Sequence, residues 1–284
     1  MSANGKPKFA MYWAASCGGC EIAVLNIGDK ILAVDEAFDV AFWPCAADFK
    51  VKDVEGYPDG YIDLCLFNGA IRTSENEEMA HLLRRKSKVL VAFGSCAHEG
   101  CIPALANLTT AEAIFDTVYQ SSVSVDNPQR LRPQPVTKVA EGELRIPVFY
   151  ERVKALDQVV AVDYIIPGCP PEPHQIWAVL EAIVTGATLP APGGAIIGAG
   201  NVAVCEECPL EKHEKTIQRF YRPQEIVPEP GVCLLEQGIF CMGPATRLID
   251  AVMATLPDPA GTLYRFSMAH SLLERARPAG AESP

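Results

Sequence analysis

An apolar run, two glycines and a helical pattern follow one another in residues 8–25, KFAMYWAASCGGCEIAVL. The apolar run is rich in aromatic residues and has the length of one buried strand. Two glycines separate Cys17 from Cys20, and the residues after Cys20 repeat apolar positions at helical spacing. This order predicts a β-strand that turns into a helix, with two cysteines in the turn.

The same alternation continues along the chain. Four later segments are short, apolar and rich in β-branched or aromatic residues, which is typical of buried parallel strands. They are residues 39–45, 61–70, 88–96 and 162–169. Helical spacing occupies residues 20–37 and 74–87, and Ser74, three residues before Glu77, begins the second with a capping-box pattern. The alternation predicts a doubly wound α/β domain that ends near residue 188.

Two segments interrupt this pattern. Residues 121–150 are polar and rich in proline, and EGEL at 141–144 is a turn signal, so we expect a surface loop that contains a hairpin. Residues 185–200, TGATLPAPGGAIIGAG, are rich in glycine and proline and indicate a domain boundary. We therefore expect two domains, residues 1–188 and 189–284.

Composition excludes several classes of function. The chain has 24 Lys and Arg against 35 Asp and Glu, a formal net charge of −11, and no basic stripe, so we expect no general binding to nucleic acid or anionic membranes. The first residues carry neither an apolar signal segment nor a twin arginine. No apolar run reaches the roughly 18 residues that a membrane span needs. The sequence predicts a cytoplasmic protein without a membrane span.

Eleven cysteines need an explanation other than disulfides in that compartment, where thiols stay reduced. Cys45 and Cys65 lie in or beside apolar segments, and free cysteine commonly behaves as a small buried hydrophobic residue. We interpret these two as core or near-core residues.

A first group of cysteines follows three of the predicted strands, in turns that contain glycine. It consists of Cys17, Cys20, Cys96 and Cys169. Because open α/β sheets bind ligands beyond the carboxyl ends of their strands, these four thiols should converge there. Four thiolates suit an iron–sulfur cluster or zinc, while the CGGC pair alone also fits a redox dithiol.

A second group follows the predicted boundary. It consists of Cys205, Cys208, Cys233 and Cys241. Four cysteines in this arrangement can close a tetrahedral zinc site or hold an iron–sulfur cluster, and their spacing alone leaves both open.

Together these motifs resemble a known family. They are CGGC at 17–20, FNGAIRTSENEEMAHLLRRKSKVLVAFGSCAHEG at 67–100, LDQVVAVDYIIPGCPPEP at 156–173 and CLLEQGIFCMGPATR at 233–247. In this order they resemble the small, electron-transferring subunit of cytosolic [NiFe] hydrogenases, of the F420-non-reducing (methyl-viologen-reducing) type. The related 20 kDa subunit of quinone oxidoreductases usually has adjacent cysteines in place of the CGGC spacing, which favours the hydrogenase.

The resemblance, over residues 8–247, implies a flavodoxin-like doubly wound sheet followed by a smaller, irregular iron–sulfur domain. It assigns a proximal [4Fe–4S] cluster to Cys17, Cys20, Cys96 and Cys169. It assigns a distal-type [4Fe–4S] cluster to Cys205, Cys208, Cys233 and Cys241. The expected partners are a [NiFe]-type large subunit, which contains the active site, and a further redox subunit, an iron–sulfur protein or flavoprotein of the heterodisulfide-reductase kind. No catalytic residue is expected in this chain.

Two other functions fit the same residues. One is a subunit of a quinone-linked or ion-pumping oxidoreductase. The other is a zinc-stabilised scaffold protein without redox chemistry, since zinc also prefers four thiolates.

The chain departs from the family after Cys241. The family places a cysteine nine residues further on, and two more beyond it, to hold a medial cluster, but this chain has Asp250 there and no later cysteine. The sequence therefore does not support a third cluster. Residues 247–256, RLIDAVMATL, instead have a helical stripe of apolar residues that Pro257 would end.

Two residues near the first group have two possible interpretations each. Cys101 stands where most of the family has glycine, and it is either an extra proximal ligand or a plain thiol. Glu21 follows Cys20, and it is either part of a proton route at a partner interface or an acidic residue favoured by the first turn of a helix.

Overall fold

The structure is a computed structural model that describes residues 5–200, 203–213, 216–217, 219–241 and 243. The chain forms two compact units that divide between Gly198 and Ala199. The predicted helix over residues 247–256, and Asp250 within it, lie outside the described residues.

Ten strands occur in the described part of the chain. They are β1 (Lys8–Trp13), β2 (Asp39–Phe42), β3 (Ile62–Asn68), β4 (Ile71–Thr73), β5 (Ser87–Phe93), β6 (Val136–Val139), β7 (Gly142–Arg145), β8 (Phe149–Lys154), β9 (Tyr164–Ile166) and β10 (Ala195–Ile196). Six of them form one sheet in the order β10-β9-β5-β3-β1-β2, and every neighbouring pair is parallel. In chain order its first five strands have the 2-1-3-4-5 arrangement of flavodoxin-like sheets, with β10 added at one edge. The predicted α/β fold is confirmed.

Nine α-helices accompany the strands in the described residues. They are α1 (Gly19–Leu25), α2 (Lys30–Ala37), α3 (Val51–Gly56), α4 (Ser74–Lys86), α5 (Ser95–Glu99), α6 (Cys101–Ala104), α7 (Ala111–Asp116), α8 (Pro173–Val184) and α9 (Val204–Glu207). Short 3-10 turns occupy Leu105–Leu108, Leu156–Gln158 and Pro223–Glu225, and a single π turn occupies Thr117–Ser121. No helix in the part of the chain that the structure describes is long and apolar enough to span a membrane.

Hydrophobic layers cover both faces of the parallel sheet. Successive strand residues point to opposite faces, so Phe9 and Met11 of β1 join the layer that contains residues of α1, α2 and α8. Ala10, between them, joins the layer that contains residues of α3, α4 and α5. This double cover explains why the strands are apolar runs without a polar face.

The structure corrects the predicted helices in two places. The single helix over residues 20–37 is two helices, because Gly28 has a φ of +73°, which a continuous right-handed helix does not allow. The cap of α4 is Thr73 and not Ser74. The Thr73 hydroxyl accepts a hydrogen bond from the Asn76 amide at 3.3 Å, and Asn76 Oδ1 accepts one from the Thr73 amide at 3.2 Å. Ser74 Oγ instead accepts from the Val148 amide.

The proline-rich excursion contains the predicted hairpin. β6 and β7 pair antiparallel, from Val136 opposite Arg145 to Val139 opposite Gly142, and both strands are exposed throughout. A second pair, β4 and β8, is also antiparallel and joins the end of the excursion to the segment after β3.

The second unit has little regular structure among its described residues. Its segments are held by backbone hydrogen bonds: the Glu211 amide donates to the Gly231 carbonyl, and the Cys233 amide donates to the Glu211 carbonyl, both at 2.8 Å. The Tyr221 amide donates to the Gly238 carbonyl at 2.7 Å. These bonds connect the segment after Cys208 to the segment around Cys233.

Candidate functional site

Three turns at the carboxyl edge of the parallel sheet contain cysteines. β1 leads into Cys17 and Cys20, β5 leads into Cys96, and β9 leads into Cys169. The four thiols are close enough to affect one another's ionisation. Cys20 and Cys17 both act on Cys169, while Cys169 and Cys20 both act on Cys96. The structure brings these four residues together at one site.

The turns approach each other closely because they contain glycine. Gly94 has a φ of +82°, and a Cβ at this position would lie 2.4 Å from Cys20 Sγ. The turns after β5 and β9 are joined by two hydrogen bonds, from the Gly94 amide to the Ile166 carbonyl at 2.8 Å and from the Ser95 amide to the Gly168 carbonyl at 2.7 Å. Only a residue without a side chain at position 94 leaves the Cys20 sulfur in place.

Trp13 stabilises the conformation of the CGGC turn. Its indole Nε1 donates a hydrogen bond to the Ser16 carbonyl at 3.2 Å. Gly18 adopts a φ of +82°, and a Cβ there would lie 2.9 Å from the indole ring. The Gly19 amide donates to Cys17 Sγ at 3.4 Å, so a backbone dipole points at this sulfur.

Burial separates the four thiols into two pairs. Cys20 and Cys96 are 6% exposed, whereas Cys17 and Cys169 are exposed. Burial raises the pKa of the Cys20 thiol to about 12, because the thiolate loses its hydration. A buried thiol of this kind becomes a thiolate readily when a metal bonds to the sulfur, since coordination deprotonates it.

Cys101 is a fifth thiol at the same site. It follows Gly100, the last residue before α6, and has a φ of +41°, which is uncommon for a residue with a side chain. Cys169 and Cys96 lie close enough to its sulfur to lower the pKa of Cys101, and Cys101 in turn raises the pKa of both. The sequence identified Cys101 only by its position. Its nearness to Cys169 depends on the left-handed backbone at Cys101, which no local sequence pattern indicates.

The four cysteines of the second unit also come together. Burial raises the pKa of Cys241, and Cys233, Cys208 and Cys205 lie close enough to raise it further. The Gly243 amide donates to Cys241 Sγ at 3.3 Å, and a Cβ at Gly243 would lie 3.6 Å from the Cys205 amide nitrogen. Lys212 Nζ donates to the Cys208 carbonyl at 2.8 Å, which places a positive charge beside this group.

The residues present fit a thiolate-bound metal group at both sites. The donors are sulfur atoms, the adjacent glycines keep the space around them free of side chains, and backbone amides point at two of the sulfurs. In the described residues, no group of three or more His, Cys, Asp or Glu side chains is arranged so that it could hold a metal ion. The fit therefore rests on the convergence of the thiols and on the glycines.

Glu21 is more buried than a solvated first-turn residue would be. It is 6% exposed, its Oε2 accepts a hydrogen bond from Trp43 Nε1 at 2.5 Å, and burial raises the pKa of its carboxyl group. Its Oε1 and both amide atoms of the nearby Asn68 have no hydrogen-bond partner among the described residues. The sequence offered one signal for this polar group, an asparagine that ends a strand whose residues from Leu64 to Phe67 are all apolar.

The remaining two cysteines differ from each other. Cys65 is fully buried in the sheet, as predicted. The prediction was wrong for Cys45, which is exposed. Trp43 occupies the last buried position after β2, and Cys45 lies beyond Pro44 in the turn that follows.

Comparisons with known proteins agree with this architecture. The family model described as NADH ubiquinone oxidoreductase, 20 Kd subunit, matches residues 17–184. The iron-sulfur subunit of the F420-non-reducing hydrogenase of Archaeoglobus profundus is 42% identical over 246 residues, which are 84% of this chain and 76% of that protein. The delta subunit of the NAD-reducing hydrogenase HoxS of Cupriavidus necator is 26% identical over 194 residues, which are 66% of this chain and 84% of that protein.

A solved structure is similar as well. The NAD+-reducing [NiFe]-hydrogenase in its H2-reduced state contains a chain that matches with a TM-score of 0.55 and 29% identity, covering 66% of this chain and 96% of that one. The resemblance found in the sequence motifs is confirmed. This chain belongs to the family of the NADH ubiquinone oxidoreductase 20 Kd subunit and is a subunit of the hydrogenase type.

Proposed function

We propose that this chain is the iron–sulfur electron-transfer subunit of a hydrogenase-type complex. It passes electrons between a large catalytic subunit and a redox partner. The observation that carries the proposal is the presence of two separate groups of converging thiols, one in each compact unit. Such groups have no need of a substrate pocket, which agrees with a subunit whose active site lies in the large subunit.

Two [4Fe–4S] clusters account for the two groups. Cys17, Cys20, Cys96 and Cys169 would hold the first, and Cys205, Cys208, Cys233 and Cys241 would hold the second. Each bound cluster supplies a site that accepts and releases one electron. The chain's own residues position the sulfurs, bury Cys20 and Cys96 away from water, and direct amide hydrogens at Cys17 and Cys241.

The first site also has a surface that suits a protein partner. Cys17 and Cys169 are exposed, and so are three large apolar residues of β1 and α1, namely Trp13, Ile22 and Leu25. Exposed apolar side chains around a redox site are typical of a docking surface, and tryptophan is enriched at the energetic centres of such surfaces. The large subunit, of the [NiFe] type, is the partner that we assign to it.

The further redox subunit and the compartment follow from less direct support. The further redox subunit, an iron–sulfur protein or flavoprotein of the heterodisulfide-reductase kind, is what the resemblance of the sequence motifs implies, and one relative is a subunit of an F420-non-reducing hydrogenase. The compartment that we propose is the cytoplasm, where thiols stay reduced, because a chain with eleven cysteines then needs an explanation other than disulfides.

The matching family, that of the NADH ubiquinone oxidoreductase 20 Kd subunit, favours a second candidate, a subunit of a quinone-linked or ion-pumping complex. This candidate uses the same clusters and differs only in its partners. A zinc-stabilised scaffold without redox chemistry uses the same cysteines with a different metal.

Metal analysis of the anaerobically purified chain tests the proposal. We expect about eight iron atoms and about eight acid-labile sulfides per chain, with a broad visible absorbance, since two [4Fe–4S] clusters contain this number. Cys45→Ser is a control that should change nothing, because this exposed thiol belongs to neither group. Iron near four atoms per chain would contradict the second cluster. Stoichiometric zinc in place of iron would contradict electron transfer altogether.

A further inference from the structure

The second group of cysteines comes from two segments of the chain, residues 205–213 and 233–241. Each segment contains two of the four cysteines, and a carboxylate connects the segments. Glu236 Oε2 accepts a hydrogen bond from the His213 backbone amide at 2.8 Å. This bond therefore crosses between the two halves of the group.

Glu236 lies on a turn that begins at one of the cysteines. The Gln237 amide donates to the Cys233 carbonyl at 3.4 Å, so an α-turn runs from Cys233 to Gln237 and includes Glu236. Residues three positions apart on a turn of this kind have about 5–6 Å between their Cβ atoms. A charge on Glu236 therefore acts on the second group across a short distance.

The Glu236 side chain is shielded from water. It is 9% exposed, whereas the His213 ring, whose Nδ1 lies 3.5 Å from Glu236 Oε2, is 57% exposed. Glu236 Oε1 is buried and has no hydrogen-bond partner among the described residues, so no donor there offsets its charge. A shielded charge is screened less by water and salt than an exposed one, which extends its effect on a nearby site.

Backbone hydrogen bonds hold the same two segments independently of this side chain. The Cys233 amide donates to the Glu211 carbonyl at 2.8 Å, and the Glu211 amide donates to the Gly231 carbonyl at 2.8 Å. Neither bond involves a side chain, so both remain when Glu236 is replaced. Variants of Glu236 therefore report on its side chain and not on the fold of the second unit.

We propose that Glu236 is a positioning residue for the second cluster. Its side chain fixes the segment after Cys208 against the turn that begins at Cys233, and its negative charge lowers the reduction potential of the cluster. The inference rests on the proposed function, because it presupposes a cluster bound to the second group of cysteines. A negative charge near an iron–sulfur cluster opposes the addition of an electron, which makes the cluster harder to reduce.

Glu236→Gln separates the charge from the hydrogen bond. Glutamine keeps the length of the side chain and an oxygen that accepts from the His213 amide, so the second cluster should be retained. Because the charge is gone, we expect the ratio of reduced to oxidised second cluster at a fixed potential to rise about tenfold, a shift of about 59 mV for one electron. Glu229→Gln is the matched control. It removes a charge from an exposed residue four positions before Cys233 and should shift neither potential.

Glu236→Ala tests the positioning role, because it removes the hydrogen-bond acceptor together with the charge. We expect a ferrous-iron chelator to remove the second cluster at least tenfold faster from this variant than from the wild type. Glu236→Gln should release iron at the wild-type rate. His213→Ala keeps the backbone amide that donates to Glu236, so it should also release iron at the wild-type rate.

An EPR-monitored redox titration of the anaerobically purified chain measures both potentials without an activity assay. The signal of the first cluster in the same chain shows whether each variant has folded. Loss of the second cluster from Glu236→Gln, or an unchanged potential in this variant, would overturn the proposal. An equal shift in Glu229→Gln, or equal rates of iron release from Glu236→Ala and the wild type, would overturn it as well. A wild-type chain without a second cluster would instead contradict the proposed function.

Discussion

Gly94 leaves the space in which the Cys20 sulfur lies. The predicted effect of Gly94→Ala is loss of the first cluster with retention of the second, because the new Cβ would lie 2.4 Å from Cys20 Sγ. With a φ of +82° and a ψ of 160°, Gly94 also lies in a backbone region that is essentially restricted to glycine, so a side chain there adds a destabilisation of about 1–3 kcal/mol. Iron content and EPR spectra measure the first effect, and thermal denaturation measures the second.

A matched control separates the two effects. Gly186 also has a positive φ, +69°, but a Cβ there would have no neighbour within 4 Å. Gly186→Ala should therefore lower the stability through backbone strain alone and keep both clusters. Equal loss of iron from the two variants would show that backbone strain, and not the contact with Cys20, is responsible.

Glu21 makes the stability of the chain depend on pH. Burial raises the pKa of its carboxyl group, so the native state holds this proton to a higher pH than the unfolded chain does. The free energy of unfolding therefore falls as the pH rises from the ordinary glutamate pKa to the raised native value. The hydrogen bond from Trp43 opposes this shift without cancelling it.

Glu21→Gln should remove that loss of stability at higher pH. We expect the midpoint of thermal denaturation to fall less in the variant than in the wild type as the pH rises above the ordinary glutamate pKa. Glu78→Gln is the control, because Glu78 is exposed on α4. The same pH dependence in Glu21→Gln and the wild type would contradict the effect.

At the scale of elements, the start of α4 tests the corrected cap. Thr73→Ala removes the hydroxyl that accepts from the Asn76 amide, and we expect a loss of about 1 kcal/mol in the free energy of unfolding. Thr73→Ser keeps an acceptor at the same position and should retain most of the stability. Denaturant unfolding of both variants measures the difference, and equal losses would show that the methyl group of Thr73 and not its hydroxyl matters.

The strands could be predicted because their signal is local. Residues 8–13, 62–68 and 87–93 lie in apolar runs whose length and composition fit buried parallel strands, and such runs carry the signal by themselves. The break between α1 and α2 could not be predicted from spacing, since the apolar positions stay in phase while Gly28 turns the backbone.

The candidate site was predictable to the extent that its residues follow strands. Each cysteine of the first group stands just beyond the carboxyl end of a strand, so topology brings these residues together. The position of Cys101 depends on two consecutive residues with a left-handed backbone, Gly100 and Cys101. The exposure of Cys45 depends on Trp43, which takes the last buried position after β2. Both features are set by tertiary packing, which the local sequence pattern does not specify.

At the scale of the whole molecule, each compact unit contains one of the two groups of thiols to which we assign electron transfer. The first unit combines its site with exposed apolar residues, namely Trp13, Ile22 and Leu25, which suit a large partner. The second unit has its own group of four cysteines, and the chain has no cysteine after Cys241. In the function that we propose, the second group of cysteines is therefore the other thiolate-bound stop for electrons that enter at the first site.

The order of electron flow follows from this division. In the complex with its large subunit, Cys241→Ser should leave the first cluster reducible by the substrate of the large subunit, because the first site keeps all its thiols. Reduction of the external acceptor should fall at least tenfold, since the second cluster is lost. EPR of the substrate-reduced complex reports the first step, and acceptor reduction measured optically reports the second. Unchanged acceptor reduction in a variant that has lost the second cluster would mean that electrons leave directly from the first site, and the large subunit and the redox partner would then share the same face of the first unit.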